Sequence, residues 1–438
     1  MKKLYPTYAI LALILLCSCS KDNAGTTPEE PVDIPALSTA KQILSFQLIE
    51  SSDNCTGEIT NVINEEAKTI EIVVASNTPL NSVMPAYDLS PGAYLSPNSP
   101  QDFSAPVTYT VTAEDNSTAQ YTVSVTQGIS DREILLKILE LNPDNTTGWN
   151  PDDTSMSTWG GVVANNGRVL ELSLSQVGLK VIPSEIGQLC YLEVLNLVNN
   201  SLEGIPAEIG QLQNLKTLSL INTGLTSLPA EIGQLAKLQS LSANGNKLTS
   251  IPNEIGQLAE LETMDLSANS ILALPNGIGQ LGNLKSLDLE GNDITEVPAA
   301  IGQLNSLEFL NLTANKMTSL PAEIGQLSNL TELVIDNGEL TSLPKEIGNL
   351  AKLSTLIISR NKLVAIPMEL GNASGLTYIN ANRNNLDAVP REIGNLTNLN
   401  LLVMRRNDFK IVPVEVCNLS TNYGTRIFMD NNVDCADL

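Results

Sequence analysis

Residues Leu192 to Leu212 read Leu-Glu-Val-Leu-Asn-Leu-Val-Asn-Asn-Ser-Leu-Glu-Gly-Ile-Pro-Ala-Glu-Ile-Gly-Gln-Leu, and this stretch decides the fold because it recurs. Its proline is one of eleven, at 183, 206, 229, 252, 275, 298, 321, 344, 367, 390 and 413, each 23 residues after the last. Apolar residues keep fixed offsets from each proline, as at Leu195, Leu197, Leu202, Ile205 and Ile209 around Pro206. Such a period marks a stack of units, none of which can bury its apolar face alone. In Leu195-Asn196-Leu197 the leucines point inward and Asn196 points out, so parallel strands from successive units form one sheet. Asparagine at the ninth position of the unit occurs in eight of eleven cases: Asn200, Asn246, Asn269, Asn292, Asn315, Asn361, Asn384 and Asn407. An inward amide there donates and accepts where the chain leaves the strand. Val177, Thr223 and Gly338 replace it, which predicts a weaker ladder at those units. Proline fixes φ at the start of a short helical turn. Two residues on, a glutamate such as Glu185, Glu208, Glu231 or Glu254 sits near that turn's positive end, on a solvated convex face.

The pattern L-x-x-L-x-L-x-x-N-x-L-x-x-I/L-P-x-E-I-G-Q-L resembles the leucine-rich repeat over roughly 270 residues. The 23-residue form with Pro-Ala-Glu-Ile-Gly-Gln-Leu is similar to repeats of plant intracellular and Ras-associated leucine-rich proteins and their bacterial counterparts. The resemblance implies an α/β leucine-rich repeat solenoid, a horseshoe with a parallel concave sheet. Both ends carry cap signals. Ser130 and Glu133 form a capping box for a helix beginning near Asp131. Trp149, Trp159-Gly160-Gly161-Val162 and Arg168-Val169-Leu170-Glu171-Leu172 resemble the amino-terminal cap of plant extracellular leucine-rich receptors. Those caps carry cysteines where this chain has Ser157 and Ala164, so their disulfide does not transfer. Cys417 and Cys435, 18 residues apart in the closing tail, are a candidate cap disulfide in an oxidising compartment. Cys190 reads as a buried or half-buried thiol.

Ahead of the array, Met1, Lys2 and Lys3 precede an unbroken apolar run from Ala9 to Leu16. That run is too short to span a bilayer, which takes about 20 helical residues, and reads as a signal peptide. Leu16-Cys17-Ser18-Cys19 resembles the lipobox of bacterial lipoproteins, which implies cleavage before Cys19 and acylation of its thiol. Lys21-Asp22 just beyond resembles the surface-export signal of some Gram-negative lipoproteins. The Thr-, Pro- and Glu-rich stretch that follows suits a solvated tether. From Gln42 to Gln127 strand alternation at Thr69–Val74, Val107–Thr112 and Ala119–Val125 is broken by turn chemistry, predicting an all-β Ig-like sandwich. Cys55 has no second cysteine there, so an intersheet disulfide is excluded. The segment resembles Ig-like modules of bacterial surface proteins. The chain thus divides into signal peptide 1–18, acylated tether 19–40, Ig-like sandwich 41–128, amino-terminal cap 129–168, eleven repeats 169–416 and carboxyl-terminal cap 417–438.

The 438 residues include no histidine, which removes Ser-His-Asp and Cys-His nucleophiles, His-ligated zinc and imidazole bases. A net charge of -24 argues against nucleic acid and anionic lipid surfaces. No Gly-rich phosphate loop, CxxC pair or EF-hand loop occurs, so the reading calls for no cofactor, no metal and no catalytic residue. The regular period leaves no inserted loop on which to build an active site. Paired acids such as Asp265 and Asp288 keep a carboxylate glycan hydrolase as the least favoured alternative.

Function is expected on the outward positions of the concave strands. Early units offer Val194, Asn196, Val198, Ser219, Ile221 and Asn222. The middle is acidic, with Asp265, Asp288, Glu290, Glu332 and Asp336 beside Phe309 and Asn311. Late units turn basic, with Arg360, Tyr378, Asn380, Arg383, Arg405 and Arg406. Arginine with aromatic residues is the composition of interaction hot spots. Asp288, Phe309, Glu332, Asp336, Arg360, Tyr378, Arg383, Arg405 and Arg406 are therefore the candidate partner-binding residues. The expectation is a monomeric, lipid-anchored outer-membrane binder of a protein or peptide, touching membrane only through its lipid. A glycan-binding adhesin is the alternative, and surface or periplasmic orientation stays open.

Overall fold

The structure, a computed structural model, describes residues 37–48, 58–74, 76, 78–430 and 433–436. The signal peptide, the lipobox with Cys19, most of the tether, and Cys55 lie outside the described residues.

The amino-terminal module is all-β. Strands β1 (Ile43–Gln47) and β4 (Ala86–Leu89) form an antiparallel pair. Strands β2 (Glu58–Asn64), β3 (Thr69–Val74), β5 (Tyr94–Ser96), β6 (Val107–Thr112) and β7 (Thr118–Gln127) form a five-stranded sheet in the order β2-β3-β7-β6-β5. Alternation puts Ile70, Ile72, Tyr109, Val111, Tyr121 and Val123 inside, where Tyr109 meets Phe46 edge-on at 5.2 Å between centroids. The Tyr121 hydroxyl donates to Glu65 Oε2 at 2.6 Å, so the core phenol keeps a partner. One pairing, β3 with β7, is parallel.

Helix α1 (Asp131–Leu141) opens the second unit with the reciprocal Ser130–Glu133 capping box in place. Ile134, Leu135 and Ile138 cover the first repeat. Trp149 and Trp159 stack at 4.9 Å, and their ring nitrogens donate to the Gly160 and Asn150 carbonyls. Asp131, 1% exposed, accepts the Val169 amide at 2.7 Å and faces Arg168 at 3.3 Å. Burial pushes its carboxyl up, against the pull of that amide and that charge.

The repeats then build the larger part of a 13-stranded sheet among the described residues. Their strands are three residues long, from Val194–Asn196 to Leu401–Val403, each parallel to its neighbour and in register at 23-residue steps. Middle residues such as Leu195, Leu218 and Leu287 are buried, and one apolar core runs from Ile134 to Leu419. Each asparagine of the ladder bonds across units. Asn292 Nδ2 donates to the Leu266 and Leu289 carbonyls at 3.0 and 3.1 Å, while its Oδ1 accepts the Ile271 amide at 3.0 Å. At two of the three substitutions other groups keep part of the ladder. Thr223 is fully buried, and its hydroxyl donates to the Leu220 carbonyl at 2.8 Å as the asparagine amide would. At Gly338 the backbone amide reaches the Arg360 carbonyl at 3.1 Å. The ladder is thinned there without being cut.

The turns are 3-10 helices of five residues, from Ser184–Gln188 to Arg391–Asn395. Each proline precedes the first helical residue, with φ between -71 and -63° and ψ between 138 and 154°. It sets an extended approach rather than occupying the first helical position. The glycine in each turn meets the next unit: a Cβ at Gly325 would lie 2.3 Å from the Glu346 carbonyl oxygen, and one at Gly210 2.5 Å from that of Glu231. Only a residue without Cβ allows that stacking. The glutamates therefore sit in the packed seam between turns, half-buried, rather than on a fully solvated face. The eleventh proline, Pro413, opens an α-helix (Val414–Tyr423) instead of another 3-10 turn, so closure begins inside the last unit. Cys417 and Cys435 are bridged, with Cα atoms 6.2 Å apart, and strand Arg426–Phe428 ends the sheet.

Replacing Asn292 by alanine orphans the buried Ile271 amide and takes one of two amide donors from each of the Leu266 and Leu289 carbonyls, which keep Asn269 and Asn315. Asn292→Ala is expected to lower stability by roughly 1–3 kcal/mol in urea unfolding and to remove exchange protection from the Ile271 amide. Unchanged protection there would refute the ladder's role.

Candidate binding surface

The first and third residues of each three-residue strand point out of the sheet, because the second is committed to the core. Register aligns them in two columns. One runs Val194, Thr217, Ser240, Thr263, Ser286, Phe309, Glu332, Thr355, Tyr378, Leu401. The other runs Asn196, Ser219, Ser242, Asp265, Asp288, Asn311, Val334, Ile357, Asn380, Val403. The residue two beyond each strand's end gives a third line, including Val198, Ile221, Glu290, Asp336 and Arg405.

Asp265 and Asp288 are register neighbours, and Glu290 follows on the same side. Asp265 Oδ1 accepts from the Ser267 amide and hydroxyl at 3.0 and 2.7 Å. Asp288 Oδ1 accepts the Glu290 amide at 2.9 Å. Burial, reinforced by the charges of Asp265 and Glu290, pushes the Asp288 carboxyl up against the hydrogen bonds from the Glu290 amide and Asn311. Asn311, read from sequence as an outward residue, is buried, and its amide goes to Glu290 Oε2 at 3.2 Å.

Toward the carboxyl end the candidates separate. Asp336 and Arg360 pair with each other, and Ser359 donates to the same carboxylate at 2.6 Å. Burial opposes the Asp336 charge, yet the bonds from Arg360 and Ser359 and the Arg360 charge hold its carboxyl below the usual range. Neither residue is a free charge for a ligand. Arg405 lies 5.1 Å over the Phe428 ring, which is 39% exposed. Arg383 and Arg406 are exposed, and Phe309, Glu332 and Tyr378 half-exposed. The Arg406 backbone amide donates to Asp430 at 2.6 Å.

Sequence reading passed over Val334, Ile357, Leu401 and Val403, which are half-exposed on the concave columns. Val334, Ile357 and Val403 take the outward place that Asn196 has in its unit, and Leu401 that of Val194, but a search by charge and aromatic rings passes over them. With Phe309 and Tyr378 they make an apolar floor beside the arginines. Among the described residues no group of three or more His, Cys, Asp or Glu is arranged to hold a metal, and no helix is long and apolar enough to cross a membrane.

A family model described as leucine-rich repeat region matches residues 165–268 and 276–372, and one described as SGBP, N-terminal matches 43–125. No curated protein matches significantly. Among solved structures, a leucine-rich repeat protein of Leptospira interrogans is 34% identical, over 59% of this chain and 83% of that one, with a TM-score of 0.35. A TDR receptor is 29% identical, over 60% of this chain and 47% of that one, with a TM-score of 0.54. The Arabidopsis receptor kinase HAESA, solved in complex with the peptide hormone IDA and the co-receptor SERK1, is 24% identical, over 70% and 54%, with a TM-score of 0.56. The chain spans about half the length of these two receptor structures.

The raised Asp288 carboxyl makes a pH prediction. The folded chain holds that proton more tightly than the unfolded chain, whose ordinary value is 3.8, so stability falls as pH rises above that value. Asp288→Asn keeps the acceptor oxygen and removes the charge. It is expected to raise the thermal midpoint at neutral pH, with the gain vanishing as pH approaches 3.8. A gain independent of pH would show that charge is not its cause.

Proposed function

The chain belongs to the leucine-rich repeat proteins, and on that premise we propose that it is a lipid-anchored protein of the cell envelope that binds a protein or peptide on its concave sheet. One observation carries the reading. Across the units the inward leucines, the ladder amides, the prolines and the turn glycines repeat, each with a mechanical task. The outward strand positions vary from serine and threonine through acids to aromatics, aliphatics and arginines. A face that must only stay soluble needs no such differentiation along its length. A face that recognises one partner does.

The scale supports a macromolecular ligand. Strands spaced about 4.8 Å give the repeat face a length of roughly 50 Å. The receptor HAESA, similar in fold, is named with a bound peptide hormone, and that reading is extended here to a partner of unknown sequence. Recognition is stoichiometric, without chemistry on the partner. In this proposal Cys19 carries the acyl anchor and the all-β module, similar to the SGBP amino-terminal family, spaces the array from the membrane.

Two experiments test these parts separately. Pull-down from envelope extracts with the full chain should recover a partner, and Phe309→Ala with Arg383→Glu should abolish capture while leaving the circular dichroism spectrum intact. Undiminished capture by that double variant refutes the concave-face assignment, and binding confined to a glycan array moves the protein to the adhesin class. For the anchor, radiolabelled palmitate should enter the native chain and not Cys19→Ser, and protease shaving of intact cells should release the array. Label retained by the serine variant would remove Cys19 from the account.

A further inference from the structure

The residue just before the ladder position is left-handed in unit after unit: Asn199, Asn222, Gly245, Ala268, Gly291, Ala314 and Asn337 have φ between 52 and 69°. Asparagine and glycine hold that conformation readily, and longer side chains do so at a cost. In three successive units the position is arginine: Arg360 at 52°, Arg383 at 56° and Arg406 at 60°. Arg360 is taken by Asp336, and no ion pair to Arg383 or Arg406 occurs among the described residues. Beside this column lies the apolar floor of Phe309, Val334, Ile357, Tyr378, Leu401 and Val403. On the other side of the floor stand Asp265, Asp288 and Glu290.

From this arrangement we infer that the concave face takes an extended peptide of opposite charge at its two ends, lying across the strands along the array. A basic side chain sits over Asp265, Asp288 and Glu290, and acidic side chains meet Arg383, Arg405 and Arg406. From the strand of Asp288 to those of Tyr378 and Leu401 is four to five steps, roughly 19–24 Å at 4.8 Å each. An extended chain rises about 3.3 Å per residue, so the two charge groups of the ligand are about six or seven residues apart. Its intervening apolar side chains rest on the floor. The inference rests on the reading of the concave face as a peptide site and adds the ligand's charge order and spacing. Peptide is favoured over an acidic polysaccharide on two grounds. A polyanion carries one sign of charge and is repelled by the acidic end, and four of the six floor residues are branched aliphatics that, unlike Phe309 and Tyr378, offer sugar rings no flat surface to stack on.

The test pans the full chain against a random dodecapeptide library at low salt and remeasures the winners at high salt. Enriched sequences should carry Lys or Arg six or seven residues from a pair of acids, and should bind at least tenfold more weakly in high salt. Arg383→Asn with Arg406→Asn should lose at least tenfold in affinity for those peptides. Its thermal midpoint should stay level or rise, since asparagine holds the same place at Asn222 and Asn337; a falling midpoint would make the arginines structural and overturn the inference. Winners without the charge pattern, still lost in Phe309→Ala, overturn the inference and leave the concave peptide site standing. Winners that Phe309→Ala retains, or none at all, overturn the peptide site itself. Preferential binding of polygalacturonate over every peptide replaces the ligand class with an anionic polymer.

Discussion

A parallel strand of three residues cannot satisfy the backbone that leaves it, and the buried asparagine amide that does so is what the rest of the molecule depends on. Each ladder side chain bonds carbonyls in its own and the preceding unit and accepts an amide from that preceding unit, as Asn200 does with Leu197, Leu174 and Leu179. One side chain thus fixes the spacing and the register of two repeats at once. An insertion inside a unit would move the amide away from those partners and leave polar backbone buried without partners. The unbroken 23-residue period follows from that penalty. The open ends need closing for the same reason: Asn142 clamps α1 to the first unit through the Lys180 and Val181 amides, and Thr425 caps the Leu399 carbonyl at the other end.

The convex side obeys a second, steric rule. Successive turns approach so closely that a glycine in one faces the carbonyl of the next, as Gly348 faces Glu369. Tight stacking of thin turns behind and strand spacing in front leave little freedom in either surface. What remains free of scaffold duty is the outward side of the strands, and there the units differ most. The same rigidity that removes choice elsewhere holds those side chains in fixed columns, which is what a recognition surface needs.

Much of this was legible in the sequence because each determinant recurs and acts within one or two units. Strands Thr69–Val74 and Val107–Thr112 of the first module, the capping box at Ser130 and the ladder asparagines all depend on local spacing. What escaped depends on contact between units. The turn glycines were visible as a pattern, but their reason, the neighbouring carbonyl, lies 21 residues away at Gly210 and Glu231. Asp336 and Arg360 read as two separate ligand contacts because their pairing spans one repeat plus one residue. Val334, Ile357 and Val403 stand at the outward place between two inward residues, and a search for charge and aromatic rings passes over them. The parallel pairing of β3 with β7 is likewise set by chain topology rather than by either strand alone.

The charge of the chain takes on a different meaning once it is placed. The tether and first module hold 14 acidic and three basic residues, and the caps and array 34 and 19. Within the array many of the acids are occupied: the turn glutamates lie in the seam, and pairs such as Glu193–Lys216 and Glu262–Lys285 join neighbouring units. Those exposed pairs contribute little individually. Arg383 and Arg406 differ from them, being basic, exposed, and held in a backbone conformation that asparagine or glycine would adopt at less cost. Elsewhere that place holds only small or amide side chains, as at Asn222, Ala268, Gly291, Ala314 and Asn337. A long basic side chain in that place in successive repeats, without an ion pair among the described residues and beside an uncovered apolar floor, fits the proposed acidic side chains of a ligand better than any contact it makes within the fold.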